Sequence, residues 1–396
     1  LSGKLVFSTQ NNGVCGFGFD LVVLIICKGF SIMNPMQVKT ELLKKLLPNK
    51  ELIEKQLCEE RLSYFVRQAW PHVPETDVYQ HNWHIDAICD HLEAVSRFEI
   101  KQLIINIPPR HMKSISCAVM FPAWVWTHTP ETRFLFTSNA MNLSTRDSTK
   151  TRRLISSGWY QRNWGGVFQF AGDQSLKTRF DNNCGGSRNC TSVGSNVTGE
   201  GGDIIVVDDP IDAKKADAVS GANLDAVIEY FDGTLSSRVN NPKRHAFVII
   251  MQRLHERDLC GYLLEKESDG WVHLCIPTRY ERRVMILNPL GWHDPRKKEG
   301  ELLWPDRYDA EHIDDIEHKK LGKVRFSAQH QQRPIPKEGG VFKAEWFGHM
   351  YQHSDLHGRW KIYQSWDTAE TDAVHSAESV CTTWLKHGEY AALLDV

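Results

Sequence analysis

Leu103-Ile104-Ile105-Asn106-Ile107-Pro108-Pro109-Arg110-His111-Met112-Lys113-Ser114 is the stretch on which the reading turns. Its short apolar run, stopped by two prolines, predicts a strand buried on both faces of a parallel sheet. A helix is expected over 113–127. The residues between strand and helix therefore lie where helix amides and the positive end of the helix dipole meet an anion. In that setting Lys113 would reach the β- and γ-phosphates of a nucleotide, and the Ser114 hydroxyl would bind Mg²⁺. Pro109, His111 and Met112 would wrap the phosphates. The strict pattern GxxxxGK[ST] is not met, because Ile107 and Met112 occupy both glycine positions. A Lys-Ser pair also makes an ordinary basic helix start with a serine near the cap.

A second element strengthens the nucleotide reading. Asp203-Ile204-Ile205-Val206-Val207-Asp208-Asp209-Pro210 is another buried strand, ending in two acids. Phosphoryl transfer needs a carboxylate to orient Mg²⁺ and a group to activate water. Asp208 is expected in the first role and Asp209 in the second. The bland reading of the same residues is a helix N-cap before Pro210. Arg110, inside the loop, could stabilise charge on the γ-phosphate or simply form a salt bridge. Gln80, Trp83 and His84, upstream of the first strand, could contact adenine. His81 and His84 have HxxH spacing but lack the carboxylate or cysteine partners of a metal site.

Outward from these two elements, apolar strands alternate with amphipathic helices. Helical spacing covers 36–60, 84–97 and 141–157; strands are expected at 134–137 and 247–251. This alternation implies βαβ units and an α/β sheet. Residues 165–202 are rich in Gly, Asn and Ser and read as hairpins and loops. Around 287–345 the chain turns Pro-, Gly- and charge-rich, as at a domain junction. New strands are expected at 360–367, 380–386 and 390–395, the last two joined by a His387-Gly388 turn.

The chain has 396 residues, 41% hydrophobic and 24% charged, an ordinary globular composition that excludes disorder and collagen. With 47 Lys+Arg against 49 Asp+Glu, the net charge of −2 excludes a globally basic nucleic-acid coat but not a local basic groove. One basic segment is 140–190, which holds Arg146, Lys150, Arg152, Arg153, Arg162, Lys177, Arg179 and Arg188 against Asp147, Asp173 and Asp181. It reads equally as a track for a phosphate backbone or as a solvated helix face. Ten cysteines without a CxxC pair read as reduced thiols. The apolar run at 22–27 is too short to span a membrane. Residues 1–32 are expected to be upstream sequence read in frame, and the chain to be a fragment at both ends.

The ordered set of motifs resembles the large terminase subunit of tailed bacteriophages over about 60–396. The set comprises Asn82-Trp83-His84-Ile85-Asp86, the 107–114 loop, Trp159-Tyr160-Gln161, Thr198-Gly199-Glu200-Gly201-Gly202-Asp203, Val207-Asp208-Asp209-Pro210, and Met251-Gln252-Arg253-Leu254-His255-Glu256-Arg257-Asp258-Leu259. The resemblance implies an ASCE-type P-loop ATPase with a degenerate Walker A loop, a cis-acting arginine at Arg110, and a coupling motif at 250–253. Many relatives carry a hydroxyl residue where Met251 stands, which leaves Gln252 as the γ-phosphate sensor. It also implies a following RNase H-like nuclease whose first metal ligand would be Asp367. That domain is expected to be incomplete, with Glu370, Asp372 and Glu378 in a solvated turn. With 1–32 read as a non-native or upstream segment, the expected organisation is an N-terminal helical region (33–100), the ATPase core (101–290), a junction (291–350) and a truncated nuclease (351–396). The implied partners are ATP, Mg²⁺, double-stranded DNA, a portal protein, a small terminase subunit and further copies in a ring. The implied setting is the host cytoplasm, with no membrane. Two rivals remain at this point: another P-loop DNA motor such as a helicase, and a DNA-binding module with an inactive nucleotide loop.

Overall fold

A computed structural model describes residues 49–73, 78–195, 197, 199–212, 222–267, 270–282, 289–335, 361–367, 380–387 and 390–395. The chain divides into two units, 1–54 and 55–396. Of the first unit only 49–54 are described, so the expectation for 1–32 lies outside the described residues. Helix α1 (Lys50–Glu60) is followed by α2 (Leu62–Ala69) and α3 (Trp83–Ser96).

Strand β1 (Gln102–Asn106) ends one residue before the apolar run does, and leads into the loop. The helix expected over 113–127 is broken into a π-type turn (Ile115–Met120) and a short α4 (Phe121–Val125). Pro122 sits in the first turn of α4, the place in a helix where a residue without an N–H is tolerated. Next come β2 (Arg133–Ser138), α5 (Met141–Ile155) and α6 (Gly158–Trp164). Ser157 caps α6 by accepting from the Tyr160 amide at 3.2 Å.

The Gly/Asn/Ser-rich region forms β3 (Phe170–Ser175), β4 (Arg179–Asn182) and β5 (Ser187–Ser192). Then follow β6 (Ile204–Asp208), α7 (Ala222–Gly233), β7 (Ala246–Met251), α8 (Leu259–Lys266) and β8 (Val272–Cys275). The segment expected as a junction carries α9 (Ala310–Asp315) and α10 (Gly322–Gln329).

The eight strands form one sheet in the order β3-β4-β5-β2-β6-β7-β1-β8. From β5 to β8 every pairing is parallel, while β3 and β4 form an antiparallel edge. This is the expected α/β architecture. Strand β7 lies between loop-bearing β1 and acidic β6. The two-residue period of a strand sends alternate side chains to opposite faces. Leu103, Ile105, Phe134, Phe136, Ile204, Val206, Val248 and Ile250 join one core with residues of α3, α4 and α5. Ile104, Leu135, Ile205, Val207, Ile249 and Met251 join the other, with Val227 and Phe231 of α7 and Leu259 and Leu263 of α8. Both faces are thus covered, which is why these strands read as unbroken apolar runs.

Strand β5 departs from the sequence reading. It hairpins with β4 as expected, but it also pairs in parallel with β2 and belongs to the main sheet. Arg188 and Asn189 on it are buried and bond to other parts of the chain. The Arg188 guanidinium lies 4.0 Å over the Phe136 ring and donates to the Ala118 carbonyl at 2.9 Å. Asn189 donates to Glu200 at 2.7 Å. Beyond the main sheet, β9 (Lys361–Asp367), β10 (Val380–His387) and β11 (Tyr390–Asp395) form an antiparallel sheet in the order β11-β10-β9. Gly388, Glu370, Asp372 and Glu378 lie outside the described residues. Among the described residues no helix is long and apolar enough to cross a membrane.

Candidate functional site

The loop after β1 and the acids at the end of β6 meet although β7 separates their strands. The Lys113 ammonium, 5% exposed, pairs with the Asp209 carboxylate. The Ser114 hydroxyl donates to Asp208 Oδ1 at 3.0 Å. Burial, reinforced by the neighbouring Asp209, raises the pKa of Asp208. A buried carboxylate beside like charges is short of cation, and Ser114 and Asp208 offer hard oxygen donors. That donor set fits Mg²⁺, which takes one or two protein carboxylates and completes its shell with water and phosphate oxygens. Among the described residues no group of three or more His, Cys, Asp or Glu gathers as a self-sufficient metal site.

The backbone is held in unusual shapes here. Arg110 (φ 65°), Met112 (φ 62°) and Asp209 (φ 42°) are left-handed, a region that costs a side-chain-bearing residue free energy. Met112 stands at the second glycine position of the strict loop pattern. Its conformation is therefore the one glycine would adopt without strain. Asp209 is fixed from both sides: its amide donates to the Ile250 carbonyl at 2.8 Å, and its carbonyl accepts from Asn139 Nδ2 at 3.0 Å.

A cavity of about 360 Å³ opens over this loop. Pro109, Arg110, Met112, Lys113, Ser114, Asp209 and Gln252, all expected at the site, line it. Gln252 Oε1 is buried with no partner among the described residues. Gln252 is set by its neighbour: Arg253 pairs with buried Asp258 at 2.9 Å, and Asp258 caps α8 by accepting from the Gly261 amide. The Arg253 amide donates to Gln332 at 2.9 Å. Arg253 and Asp258 in the Met251–Leu259 motif thus serve as ties that present Gln252.

Other expected residues lie elsewhere. Gln80 is exposed and does not line the cavity. Trp83 also stands off it, stacked on Trp292 at 6.1 Å with the Arg296 guanidinium 5.3 Å from its ring. His111 is buried outside the cavity lining. It packs against His84, Trp304 and Tyr308 at 5.7, 6.0 and 5.1 Å, and its Nδ1 bonds the Pro109 carbonyl at 2.8 Å. Burial lowers its pKa to about 4, with the charge of Arg307 adding to the fall, so the ring is neutral. His111 therefore props the loop. Asp367 ends β9 opposite Val380, and its side chain lies outside the described residues.

Six lining residues were missing from the sequence-derived site: Trp70, Ile115, Arg146, Asp147, Lys150 and Arg307. Arg146 and Lys150 were read as part of a DNA-tracking segment. Their spacing puts them on one face of α5, and that face turns to the cavity. Of the other basic residues in the segment, Arg188 is buried and Arg179 is tied to Asp181 and Glu200. Arg153 and Arg162 remain exposed. The cavity thus gathers Arg110, Lys113, Arg146, Lys150 and Arg307 against Asp147 and Asp209. That balance suits a polyphosphate.

No family model and no curated protein matches the chain. Among solved structures it is similar to the large terminase of bacteriophage HK97, at 10% identity and a TM-score of 0.42, covering 85% of this chain and 67% of that one. It is also similar to the large terminase of a thermophilic bacteriophage, solved in complex with ADP. That structure matches at 10% identity and a TM-score of 0.36, covering 76% of this chain and 65% of that one. The chain thus spans about two thirds of the length of these terminases.

Proposed function

We propose that this chain binds ATP with Mg²⁺, hydrolyses it, and uses the cycle to move double-stranded DNA into a viral procapsid, as a large terminase subunit. The observation that carries the ATPase reading is the meeting of Lys113 and Ser114 with Asp209 and Asp208 under one cationic cavity. The step to DNA packaging rests on the resemblance of the ordered motifs.

In this reading Lys113 draws the β- and γ-phosphates toward the loop amides and Arg110 neutralises charge on the γ-phosphate. Ser114 and Asp208 would hold Mg²⁺, which supplies charge neutralisation across the phosphate oxygens. Asp209 accepts the proton of the attacking water as its oxygen bonds to the γ-phosphorus and ADP leaves. Gln252, at the end of β7, meets the γ-phosphate and passes its loss to that strand. Asp367 would be the first metal ligand of a following RNase H-like nuclease. Portal protein, small terminase subunit and further copies in a ring would be partners at the procapsid in the host cytoplasm.

DNA-stimulated phosphate release from ATP, with Lys113→Ala as the control, tests this reading. The expected result is turnover in the wild type and its loss in the variant. Turnover unaffected by the change would overturn the site assignment. Failure of the wild type to bind ATP would favour a DNA-binding module with an inactive loop.

A further inference from the structure

We propose that Arg307, contributed by the segment that follows the sheet, is a direct ligand of the nucleotide's polyphosphate. This deepens the reading above and rests on it. Arg307 lies far along the chain from the phosphate loop, yet it lines the same cavity as Arg110 and Lys113. Its guanidinium lies 5.1 Å from the Trp304 ring centroid and 5.8 Å from that of Tyr308. Stacking on two rings restricts an otherwise mobile side chain, so less conformational entropy is lost when it meets an anion.

The turn that carries Arg307 is fastened to the loop. Trp304, 2% exposed, packs on His84 at 4.9 Å and on His111 at 6.0 Å. The amides of Arg307 and Tyr308 both donate to the Trp304 carbonyl, at 3.2 and 2.9 Å, closing one helical turn. The Tyr308 hydroxyl donates, at a long 3.4 Å, to the carbonyl of left-handed Arg110. The side chain of Arg307 is thus presented from a turn that grips the loop's own backbone. A planar guanidinium can bind two phosphate oxygens at once, which an ammonium cannot.

Equilibrium binding of a non-hydrolysable ATP analogue and of AMP to the full chain tests this, for wild type, Arg307→Ala, Arg307→Lys and Lys113→Ala. Arg307→Ala is expected to weaken the triphosphate analogue about tenfold or more, with AMP unchanged within about twofold. Arg307→Lys should recover part of the loss, since it keeps the charge but not the fork. Analogue binding within about twofold of wild type in Arg307→Ala, while Lys113→Ala loses it, overturns this proposal alone. Equal losses for AMP and the analogue also overturn it, because the residue would then act through the fold. No analogue binding by the wild type overturns both this proposal and the ATPase reading.

Discussion

The loop at 107–114 has two sides that differ in almost every physical respect. Toward the cavity it presents Lys113 and Ser114 to Asp209 and Asp208, ion pairs and hydroxyls whose partners are exchangeable for phosphate and metal. On its packed side it presents His111 to His84, Trp304 and Tyr308, a neutral aromatic cluster with no charge to exchange. A single short loop serves chemistry on one side and scaffold on the other. Substitutions on the cavity side should change turnover with little change in stability, and those on the packed side should cost stability first and change turnover only through the loop and the Arg307 side chain that they hold.

The largest separation is expected from Lys113→Ala. Phosphate release should fall at least about 100-fold, the scale of removing one preorganised electrostatic contact, while the denaturation midpoint barely moves. Steady-state kinetics beside urea unfolding checks both halves. On the packed side, Trp304→Ala removes a fully buried indole and should cost about 3–5 kcal/mol of stability, read by the same unfolding curve.

His111 offers a pH test of the same contrast. Its folded pKa of about 4 lies below the value of about 6.5 expected when unfolded. Its contribution to stability is therefore fully present above about pH 6.5 and is lost as pH falls toward 4. Replacing it by Phe keeps an aromatic ring and removes the titration. His111→Phe should lose about 2 kcal/mol less stability than wild type between pH 7 and pH 5, measured by urea unfolding at both values. Asp208 titrates in both proteins and so drops out of the difference.

The smallest effect is expected at Arg110, which is exposed and left-handed. Arg110→Gly should raise stability by about 1 kcal/mol by removing the backbone penalty. Its turnover should nevertheless drop, because the guanidinium faces the cavity. A variant that is more stable and as active as wild type would separate Arg110 from the chemistry.

Much of this contrast was legible in the sequence on the cavity side and little of it on the packed side. Strands β1, β6 and β7 announce themselves as apolar runs because both faces of the sheet are covered. The residues at the ends of β1 and β6, Lys113, Ser114, Asp208 and Asp209, follow from that placement, whereas Gln252 after β7 came only from the family resemblance. Strand β5 was hidden because Ser187–Ser192 buries polar groups, such as Arg188, whose contacts with Ala118 and Phe136 come from distant parts of the chain. Arg307 and Trp70 were hidden because nothing local ties either of them to the loop. The Pro-, Gly- and charge-rich stretch after 287 looked like a junction, yet Trp304 within it is a core residue. Its burial depends on His84 and His111, more than 190 residues upstream, and no local pattern reports that. Within the stretches quoted for the resemblance, Glu200 holds Arg179 and Asn189, and Asp258 holds Arg253.

The most direct test of the central claim is Asp209→Asn, which keeps the shape of the side chain and removes its basicity. ATP binding and phosphate release would be measured on the same preparation. The account predicts that binding by the variant stays within a few-fold of wild type while hydrolysis falls by about 10²–10⁴-fold, the scale of a lost general base. Hydrolysis within a few-fold of wild type would contradict it, since water would then be activated elsewhere.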